Sequence, residues 1–291
     1  MSPEVSVIIV NYNAGEYLER CIRSLDAHVG RRAWEAVVID NASSDGSQNA
    51  VAAFSPRVLL VRNHENVGFG RAVNQAVEAT TGRFILLLNP DGCLKPGAVD
   101  RLCQELERHG DCAIVGPAVV DDDGRTQGSA RGDPNMLTGL FGRSTWLSRR
   151  FPKSALARRN VVRDLRMAAG ESSVEIDWVS GSCMLVRRDA FLKVGGFDRR
   201  YFMYWEDADL CRRLRSAGWR TRYRPDAQVT HSVGQSSRTA KALAIRAFHR
   251  SAYLYYATHE APSPFNPRRW MAYGLLWARC LWRLSLCLLE F

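Results

Sequence analysis

Residues 84–92, with the sequence FILLLNPDG, decide the fold class of this 291-residue chain. Five consecutive apolar residues predict a strand that is buried on both faces, as in a parallel sheet covered by helices. Pro90 cannot donate a ladder hydrogen bond and favours an extended Asn89, so Asp91 follows at the carboxyl edge of the sheet. In open α/β sheets that edge binds ligands. A plain turn is the alternative, since Asn-Pro-Asp-Gly is good turn chemistry.

Apolar segments with the spacing of strands and helices alternate along much of the chain. The predicted strands are residues 5–10, 36–39, 58–61, 84–88, 113–115, 119–120, 174–186, 221–224 and 227–230. The Gly-Pro pair at residues 116–117 is expected to separate two of them. The β-α-β-α order of the first half implies right-handed crossovers and a mostly parallel sheet flanked by helices, so the predicted fold class is α/β.

Composition indicates a globular protein with an anionic partner. Hydrophobic residues make up 46% of the chain and charged residues 24%, and the formal net charge is +10. Such a charge suits nucleotide phosphates, an anionic membrane surface or nucleic acid. The eight cysteines are scattered without a C-x-x-C pair, which predicts reduced, packed thiols in a cytosolic protein. The apolar run at residues 5–10 is too short for a signal peptide.

Two acidic sites have no full structural explanation. Asp40 directly follows the second predicted strand. Glu206 and Asp207 begin a predicted helix after four large side chains at residues 202–205. Acidic residues in a first helical turn suit the helix dipole, which is the structural alternative. The large side chains would also form an apolar wall beside a carboxylate and raise its proton affinity.

Three weaker signals lie at strand ends and helix starts. Gly68 and Gly70 open a helix and would let backbone amides approach an anion, with Arg71 adding charge. Tight helix packing is the alternative for the glycines. His231 ends the last predicted strand alone, where it could serve a structural role or act as a ligand.

Basic residues concentrate in two segments outside the predicted sheet. Residues 131–173 form an insertion in which arginines alternate with apolar residues. It would lie against a membrane interface, close over a phosphate, or form a solvated surface. Residues 239–259 have a helical pattern, and residues 270–291 are mostly apolar with Arg279 and Arg283 near the middle. These arginines argue against a spanning helix and favour an interfacial helix on an anionic leaflet, with a buried helix as the alternative.

In combination, these motifs closely resemble family 2 glycosyltransferases of the GT-A type. The motifs that carry the resemblance are Asp40 in VIDNASSDGS, the strand end Asn89-Pro90-Asp91, and Glu206-Asp207 after an aromatic run. The opening VNYN, the segment from Asn66 to Gly70 and the Asn-Pro-Asp form look like the bacterial rhamnosyltransferase-like branch. The resemblance covers residues 4 to 235. It implies a Rossmann-like GT-A domain over residues 1–238, followed by a helical extension over residues 239–291.

The resemblance implies a nucleotide-sugar site and a divalent cation, Mg or Mn. The residues it assigns to the nucleotide sugar are Asn11, Tyr12, Asp40, Asn66, Gly68, Arg71, Asn89 and Asp91. Asp40 would bond the pyrimidine imide, and Arg71 would approach the base or phosphates. In the family a D-x-D motif holds the metal, whereas Asn89 replaces the first aspartate here. Asp91 and His231 are therefore the expected metal ligands, and Asn89 offers only a neutral oxygen or bonds the ribose.

The resemblance also implies the residues that act on the sugar and acceptor. Asp207 would be the base that takes the proton of the acceptor hydroxyl, and Glu206 would position acceptor or sugar. The residues that would line the donor sugar and acceptor are Trp178, Ser180, Gly181 and Trp205.

The predicted function is inverting sugar transfer from a nucleoside-diphosphate sugar to a lipid-linked or cell-envelope glycan. The favoured donor is dTDP-rhamnose, with UDP-hexose, galactofuranose or GDP-sugar donors as alternatives. The protein would work at the cytoplasmic face of a bacterial membrane, in peripheral contact with it. No oligomeric state is implied.

Three other functions are weighed against this one. A sugar nucleotidyltransferase would need a glycine-rich basic loop after the first strand, which residues 11–15 lack. A nucleic-acid-binding module would carry its basic residues with stacking aromatics on the sheet domain. In this chain the basic residues concentrate in the insertion and the tail, so no nucleic-acid partner is expected. A degenerate, inactive transferase would explain Asn89, but Glu206 and Asp207 are intact.

Overall fold

A computed structural model of the chain describes residues 2–30, 32–133, 171–232 and 241–289. Of the predicted basic insertion at 131–173, residues 134–170 lie outside the described residues. The strands are β1 (Val5–Asn11), β2 (Trp34–Asp40), β3 (Val58–Arg62), β4 (Phe84–Leu88), β5 (Gly92–Leu94), β6 (Cys112–Val120), β7 (Ala130–Arg131), β8 (Val174–Ile176), β9 (Trp178–Val179), β10 (Cys183–Arg187) and β11 (Arg220–His231).

Helices connect and cover these strands. The α-helices are α1 (Tyr17–His28), α2 (Phe69–Glu78), α3 (Ala98–Arg108), α4 (Arg188–Lys193), α5 (Glu206–Ser216), α6 (Lys241–His259) and α7 (Pro267–Leu289). A 3-10 helix at Ser47–Phe54 joins β2 to β3.

The main sheet confirms the predicted α/β class. Its strand order is β3-β2-β1-β4-β10-β6-β11-β5, with β8 paired to β11. Strands β3, β2, β1 and β4 run parallel to one another, and β6 runs parallel to β11. Strand β10 lies antiparallel between β4 and β6. Antiparallel strands β5 and β8 both pair with β11, and β7 forms a separate small ladder with β9. The sheet is therefore mostly parallel, as the alternation predicted.

Strand β4 is buried on both faces, as its continuous apolar sequence predicted. Phe84 and Leu86 pack in the layer that contains residues of α1 and α3. Ile85 and Leu87 pack in the opposite layer with residues of α2 and α5. Two helical layers therefore enclose the strand, and its carboxyl end emerges at a fixed place on the sheet edge.

Two predicted strand breaks are wrong. Strand β6 continues through the Gly-Pro pair at residues 116–117. In that stretch Pro117 has a partner only in β11, because the pairing with β10 involves Ile114 and Val115 alone. A proline is tolerated where one side of the strand is unpaired. Likewise β11 is one strand, whose register shifts between Arg224 and Gln228, where two strands were expected. The segment predicted at 174–186 as a strand interrupted by Ser180 and Gly181 is interrupted there, between β9 and β10, and a further break at Asp177 separates β8 from β9.

Gly68 fixes the start of α2 against the loop that precedes α5. Its backbone has φ 87° and ψ 167°, a conformation available to glycine and strained for other residues. The next amide, of Phe69, donates a 2.9 Å hydrogen bond to the carbonyl of Phe202. A Cβ on residue 68 would lie 2.3 Å from that carbonyl oxygen. The glycine is therefore required both by its conformation and by the close approach.

We expect Gly68→Ala to lower the free energy of unfolding by about 3 kcal/mol, because backbone strain and the clash with Phe202 add together. Gly15→Ala is the matched control, since Gly15 has φ 56° but nothing within 4 Å of an added Cβ. That variant should cost about 1 kcal/mol. Urea unfolding of both variants measures the difference. Equal losses would contradict a role for the contact with Phe202.

Candidate active site

The first group of predicted residues lies where β1 and β2 end side by side. Asn11 pairs with Asp40 in the parallel register, and both side chains are buried. Asn11 Nδ2 donates to Asp40 Oδ1 at 2.7 Å and to Ser47 Oγ at 2.9 Å. The amide of Ser43 donates to Asp40 Oδ2 at 3.1 Å. The structure thus brings Asn11 and Asp40 together as predicted, with Asp40 held in one orientation. Tyr12 follows β1 directly and is half-buried.

Asn66 and Gly68, which were also predicted to bind the nucleotide sugar, lie beside this group. Hydrogen bonds from or to asparagine side chains connect them. Asn66 Oδ1 accepts a 3.0 Å hydrogen bond from the amide of Gly68. Asn41, next to Asp40, contacts the Gly68 carbonyl oxygen through its Nδ2 at 3.4 Å. Arg71 lies on the exposed side of α2, where its Nε donates to the carbonyl of Arg199 at 3.0 Å. Its approach to a base or phosphate stays a prediction.

The second group lies between the end of β4 and the end of β11. Strand β5, which follows β4 in the chain, pairs with β11 there. His231 is paired with Gly92 in the antiparallel register, which sets its ring beside Asp91. His231 Nε2 lies 3.1 Å from Asp91 Oδ1 and 3.2 Å from Asn89 Nδ2. Asp91 is 8% exposed. Asn89, Asp91 and His231, which are far apart in sequence, therefore form one cluster.

Gln127 orients His231 and was not identified from the sequence. Its Nε2 donates to the His231 carbonyl oxygen at 2.6 Å, which turns Gln127 Oε1 toward His231 Nδ1 at 3.0 Å. Nδ1 must then carry the proton, so in the neutral ring Nε2 presents its lone pair. That lone pair accepts from Asn89 and faces the carboxylate of Asp91.

This donor set fits a divalent cation. Two electron-rich atoms, Nε2 of His231 and Oδ1 of Asp91, face each other, and a cation between such atoms relieves their repulsion. A histidine ligand whose other nitrogen donates to a fixed oxygen is the usual outer arrangement of metal sites. In the part of the chain that the structure describes, no cluster of three or more His, Cys, Asp or Glu is available to hold a metal. Asp91 and His231 would thus leave coordination positions for other ligands.

We expect Gln127→Leu to weaken Mn2+ binding in the presence of dTDP by about tenfold, because His231 loses its fixed tautomer. Calorimetric titration of Mn2+ measures the change. Gln104→Leu, an exposed site on α3, is the control and should leave the affinity unaltered. Equal affinities in the two variants would show that Gln127 does not support the cation site.

The acidic pair Glu206 and Asp207 begins α5. The amide of Gly181 donates to Asp207 Oδ2 at 2.9 Å, and the amide of Ala208 donates to Asp207 Oδ1 at 2.8 Å. Glu206 is 7% exposed, and its Oε2 has no hydrogen-bond partner among the described residues. Asp207 is therefore fixed by backbone donors, while Glu206 retains a buried acceptor atom that a ligand could use.

Burial raises the pKa of Glu206 well above its usual range, and the negative charge of Asp207 raises it further. Burial also raises the pKa of Asp207, although the hydrogen bonds from Gly181 and Ala208 and the charge of Arg131 oppose the rise. A carboxylate with a raised pKa is a better proton acceptor near neutral pH. The pair therefore suits general base chemistry, and the two backbone donors on Asp207 favour its ionised form.

We expect the wild-type fold to lose stability, relative to Glu206→Gln, as the pH rises from about 5 to about 8. When the pKa of a carboxyl is raised by folding, the unfolded chain binds fewer protons above the ordinary glutamate pKa of about 4.3. Stability is then lost as pH rises, and the glutamine variant lacks this contribution. Urea unfolding across this pH range measures the difference. Glu78→Gln, on the exposed end of α2, controls for the loss of one carboxylate. If the free energy of unfolding of wild type and of Glu206→Gln changed in parallel with pH, the raised pKa of Glu206 would be contradicted.

The aromatic run before α5 is held in an unusual backbone conformation. Tyr204 and Trp205 have φ values of 68° and 69°, in the left-handed region that side chains disfavour. Helix α6 packs on them: Phe248 lies 5.8 Å from Tyr204 and 5.9 Å from Trp205 between ring centroids. Tyr255 lies 5.3 Å from Trp205. Contacts from α6 thus stabilise the strained residues immediately before the acidic pair.

The other residues predicted to line the sugar site lie on the segment around β9. The indole Nε1 of Trp178 donates to the Gly132 carbonyl at 2.9 Å, and the guanidinium of Arg131 lies 4.9 Å from its ring centroid. Ser180 donates its amide to the carbonyl of Ser129 at 3.1 Å. This segment connects the candidate cation site to the acidic pair. The Ser182 carbonyl accepts a 2.9 Å hydrogen bond from the amide of Asn89, and the amide of the preceding residue, Gly181, holds Asp207.

The ion pair between Asp209 and His259 was also not identified from the sequence, and it holds α5 against α6. Asp209 has a side chain that is 1% exposed and lies between Arg213 and His259, each at 2.7 Å. His259 ends α6, so this buried carboxylate joins α6 to α5. Asp209 was visible as the third acid of the helix start, after Glu206 and Asp207, but nothing in the sequence pairs it with a histidine 50 residues away.

Comparisons with known proteins point to one family. The model of Glycosyl transferase family 2 matches residues 6–166. An N-acetylglucosaminyl-diphospho-decaprenol L-rhamnosyltransferase of Mycobacterium tuberculosis is 34% identical over 287 residues, which cover 95% of this chain and 91% of that protein. Rhamnosyltransferase WbbL of Escherichia coli strain K12 is 43% identical over 95 residues, 33% of this chain and 36% of that protein.

Solved structures show the same fold. A mannosyltransferase of Pyrobaculum calidifontis, in complex with GDP-Man and Mn2+, aligns with a TM-score of 0.59 at 20% identity, over 98% of this chain and 73% of that one. GalNAc-T7 with UDP, GalNAc and Mn2+ also has a TM-score of 0.59, at 16% identity, over 89% of this chain and 51% of that one. These likenesses confirm the predicted GT-A fold.

Proposed function

The chain belongs to glycosyl transferase family 2, in its rhamnosyltransferase branch, and from that premise we propose that it transfers L-rhamnose from dTDP-rhamnose to a lipid-linked glycan with inversion. The relative of Mycobacterium tuberculosis is an N-acetylglucosaminyl-diphospho-decaprenol L-rhamnosyltransferase and is similar over nearly the whole length of both chains, which supports the sugar and the acceptor class. UDP-hexose and galactofuranose donors are the alternatives within the same fold.

The observation that carries the proposal is the fixed carboxylate of Asp207. The amide of Gly181 holds it at 2.9 Å, and the same segment contacts Asn89 beside the candidate cation site. An acceptor oxygen would attack the anomeric carbon while the bond from that carbon to the diphosphate oxygen breaks with its electron pair. The hydroxyl proton passes to the Asp207 carboxylate. Glu206, with a buried unpartnered Oε2, would position a hydroxyl of the acceptor or of the sugar.

The donor nucleotide would occupy the two polar groups at the sheet edge. Asp40, fixed by Asn11 and Ser43, would accept the imide N–H of a pyrimidine. Asp91 and His231 would hold a divalent cation, Mg or Mn, and Gln127 would keep His231 Nε2 toward it. Such a cation supplies charge neutralisation of the diphosphate leaving group. Cation binding by His231 Nε2 would displace the hydrogen bond from Asn89 Nδ2, and the side-chain oxygen of Asn89 would be available to the ribose.

We expect Asp207→Asn to lower kcat for transfer from dTDP-rhamnose at least about a hundredfold, because it removes the general base. The affinity for dTDP should change less than about twofold, since Asp207 contacts neither the base nor the cation site. Asp26→Asn, an exposed site on α1, is the control for a changed charge. A folded Asp207→Asn protein that no longer binds dTDP would mean that Asp207 belongs to the donor site.

The carboxy-terminal helix supports membrane contact. In the part of the chain that the structure describes, no helix is long and apolar enough to span a bilayer. Helix α7 nevertheless exposes large apolar side chains along its outer face. Those at least 44% exposed are Trp270, Met271, Leu275, Trp277, Leu281 and Trp282. A helix that exposes tryptophans and leucines beside arginines suits the interface of an anionic bilayer. We propose that this face lies in the cytoplasmic leaflet and brings the active site to its lipid-linked acceptor.

Leu281→Glu should weaken binding to phosphatidylglycerol vesicles by about tenfold, because a charge replaces a side chain that is buried in the interface. Vesicle sedimentation measures the affinity. Leu192→Glu tests the same change on α4, where Leu192 is 57% exposed, and should bind as the wild type does. A Leu281→Glu protein that sediments like the wild type would exclude α7 as the docking face.

A further inference from the structure

One face of α6 carries the residues that contact the start of α5 and the loop before it. Its members recur every three or four positions, which places them on one side of the helix. They are Phe248, Ser251, Tyr255 and His259. Phe248 and Tyr255 pack on Trp205, and His259 pairs with Asp209 of α5. Ser251 lies between the two aromatic residues of this face.

The hydroxyl of Ser251 is directed away from its own helix. A serine inside a helix commonly bonds to a carbonyl three or four residues earlier. Ser285 of α7 does so, since its Oγ donates to the Trp282 carbonyl at 2.8 Å. Ser251 is 3% exposed, and its Oγ instead donates to the carbonyl of Met203 at 2.9 Å. Met203 lies 48 residues earlier in the chain, so this hydrogen bond joins α6 to the loop before the acidic pair.

The loop before the acidic pair is fixed from two sides. Its Phe202 carbonyl accepts a 2.9 Å hydrogen bond from the amide of Phe69, at the start of α2. Its next carbonyl, of Met203, accepts from Ser251. The two residues that follow have positive φ values, and such a conformation persists only where the surrounding structure holds it. Ser251 therefore helps to hold the strained turn from which α5 starts.

The same face of α6 also reaches the other segment that supports Asp207. One turn further along, the Oη of Tyr255 donates to Asp133 Oδ1 at 3.3 Å. The carbonyl of the residue before Asp133 accepts from the indole Nε1 of Trp178. Trp178 begins β9, which leads to the Gly181 amide that donates to Asp207. Adjacent turns of α6 thus contact both segments that meet at the Asp207 carboxylate.

We infer that Ser251 is a positioning residue for the general base: through the carbonyl of Met203 it fixes the turn that sets the direction of the Asp207 carboxylate. This inference rests on the proposed function, since it takes Asp207 as the group that receives the proton of the acceptor. Ser251 itself would touch neither substrate. Its hydrogen bond would keep Asp207 on the Gly181 amide, so that the acceptor hydroxyl meets a base that is already in place.

Ser251→Ala should lower kcat for transfer from dTDP-rhamnose about tenfold, because a small misplacement of a catalytic group is costly. The affinity for dTDP should change less than about twofold, since the residues proposed to bind the donor nucleotide lie at the sheet edge. Steady-state kinetics and calorimetry measure the two quantities. Ser285→Ala is the matched control, because it removes a hydroxyl that bonds within its own helix, and it should behave as the wild type does.

The pH profile of kcat separates positioning from a general loss of packing. Burial raises the pKa of Asp207, and the hydrogen bonds from the Gly181 and Ala208 amides lower it. If Ser251→Ala lets the carboxylate leave the Gly181 amide, the pKa of Asp207 rises. Because the base must be ionised, the pH at which kcat is half its plateau value should then move upward. The variant leaves in place the other ionisable groups that interact with Asp207, which are Glu206 and Cys211 of α5 and Arg131 of β7.

Amide hydrogen exchange tests the same contact without any substrate. The Gly181 amide is protected while it donates to Asp207. NMR should show this amide exchanging about tenfold faster in Ser251→Ala than in the wild type, and at the wild-type rate in Ser285→Ala. If the wild type failed to transfer rhamnose, the proposed donor would be wrong, and the exchange rates would still decide whether Ser251 holds Asp207.

Two results would overturn the inference. Wild-type kcat in Ser251→Ala would show that transfer does not depend on this hydroxyl. A loss of kcat with an unmoved pH profile and unaltered exchange at Gly181 would assign Ser251 to the packing of α6 instead of the orientation of Asp207.

Discussion

The buried carboxylate of Asp209 is the constraint on which the active-site half of the structure depends. A charge that is 1% exposed is tolerated only when it is paired, and Asp209 is paired with Arg213 in its own helix and with His259 at the end of α6. Arg213 in turn donates to the carbonyls of Val194 and Gly196. One carboxylate thereby joins α5, α6 and the loop after α4, and it holds the first turn of α5 in place.

That first turn contains the chemistry. With α5 fixed, α6 can press Phe248 and Tyr255 on the strained aromatic residues before it, and Glu206 and Asp207 follow in a defined orientation. Opposite them, the two-sided burial of β4 fixes Asn89 and Asp91 at the sheet edge. The segment from Ser180 to Ser182 contacts both groups. The base and the candidate cation site are therefore positioned by different parts of the fold, and α6 belongs to the site as much as the sheet does.

Much of this arrangement follows from sequence because it is local. The apolar run of β4 predicted burial on both faces, and acids after strands predicted a polar sheet edge, where Asn11 and Asp40 do meet. Long-range partners could not be predicted in the same way. Gln127 and His231 are 104 residues apart, and no spacing rule connects them. The continuity of β6 through Pro117 depends on a missing neighbour on one side, which is a tertiary property.

The central claim is that the sheet edge is a cation-dependent site for a pyrimidine nucleoside diphosphate. Calorimetric binding of dTDP, UDP and GDP, each with and without Mn2+, to wild type and Asp91→Asn tests it most directly. The account predicts that a pyrimidine nucleotide binds more tightly than GDP, that Mn2+ strengthens this binding, and that Asp91→Asn removes the effect of Mn2+. Binding that is independent of metal in both proteins, or no nucleotide binding by the folded wild type, would contradict it.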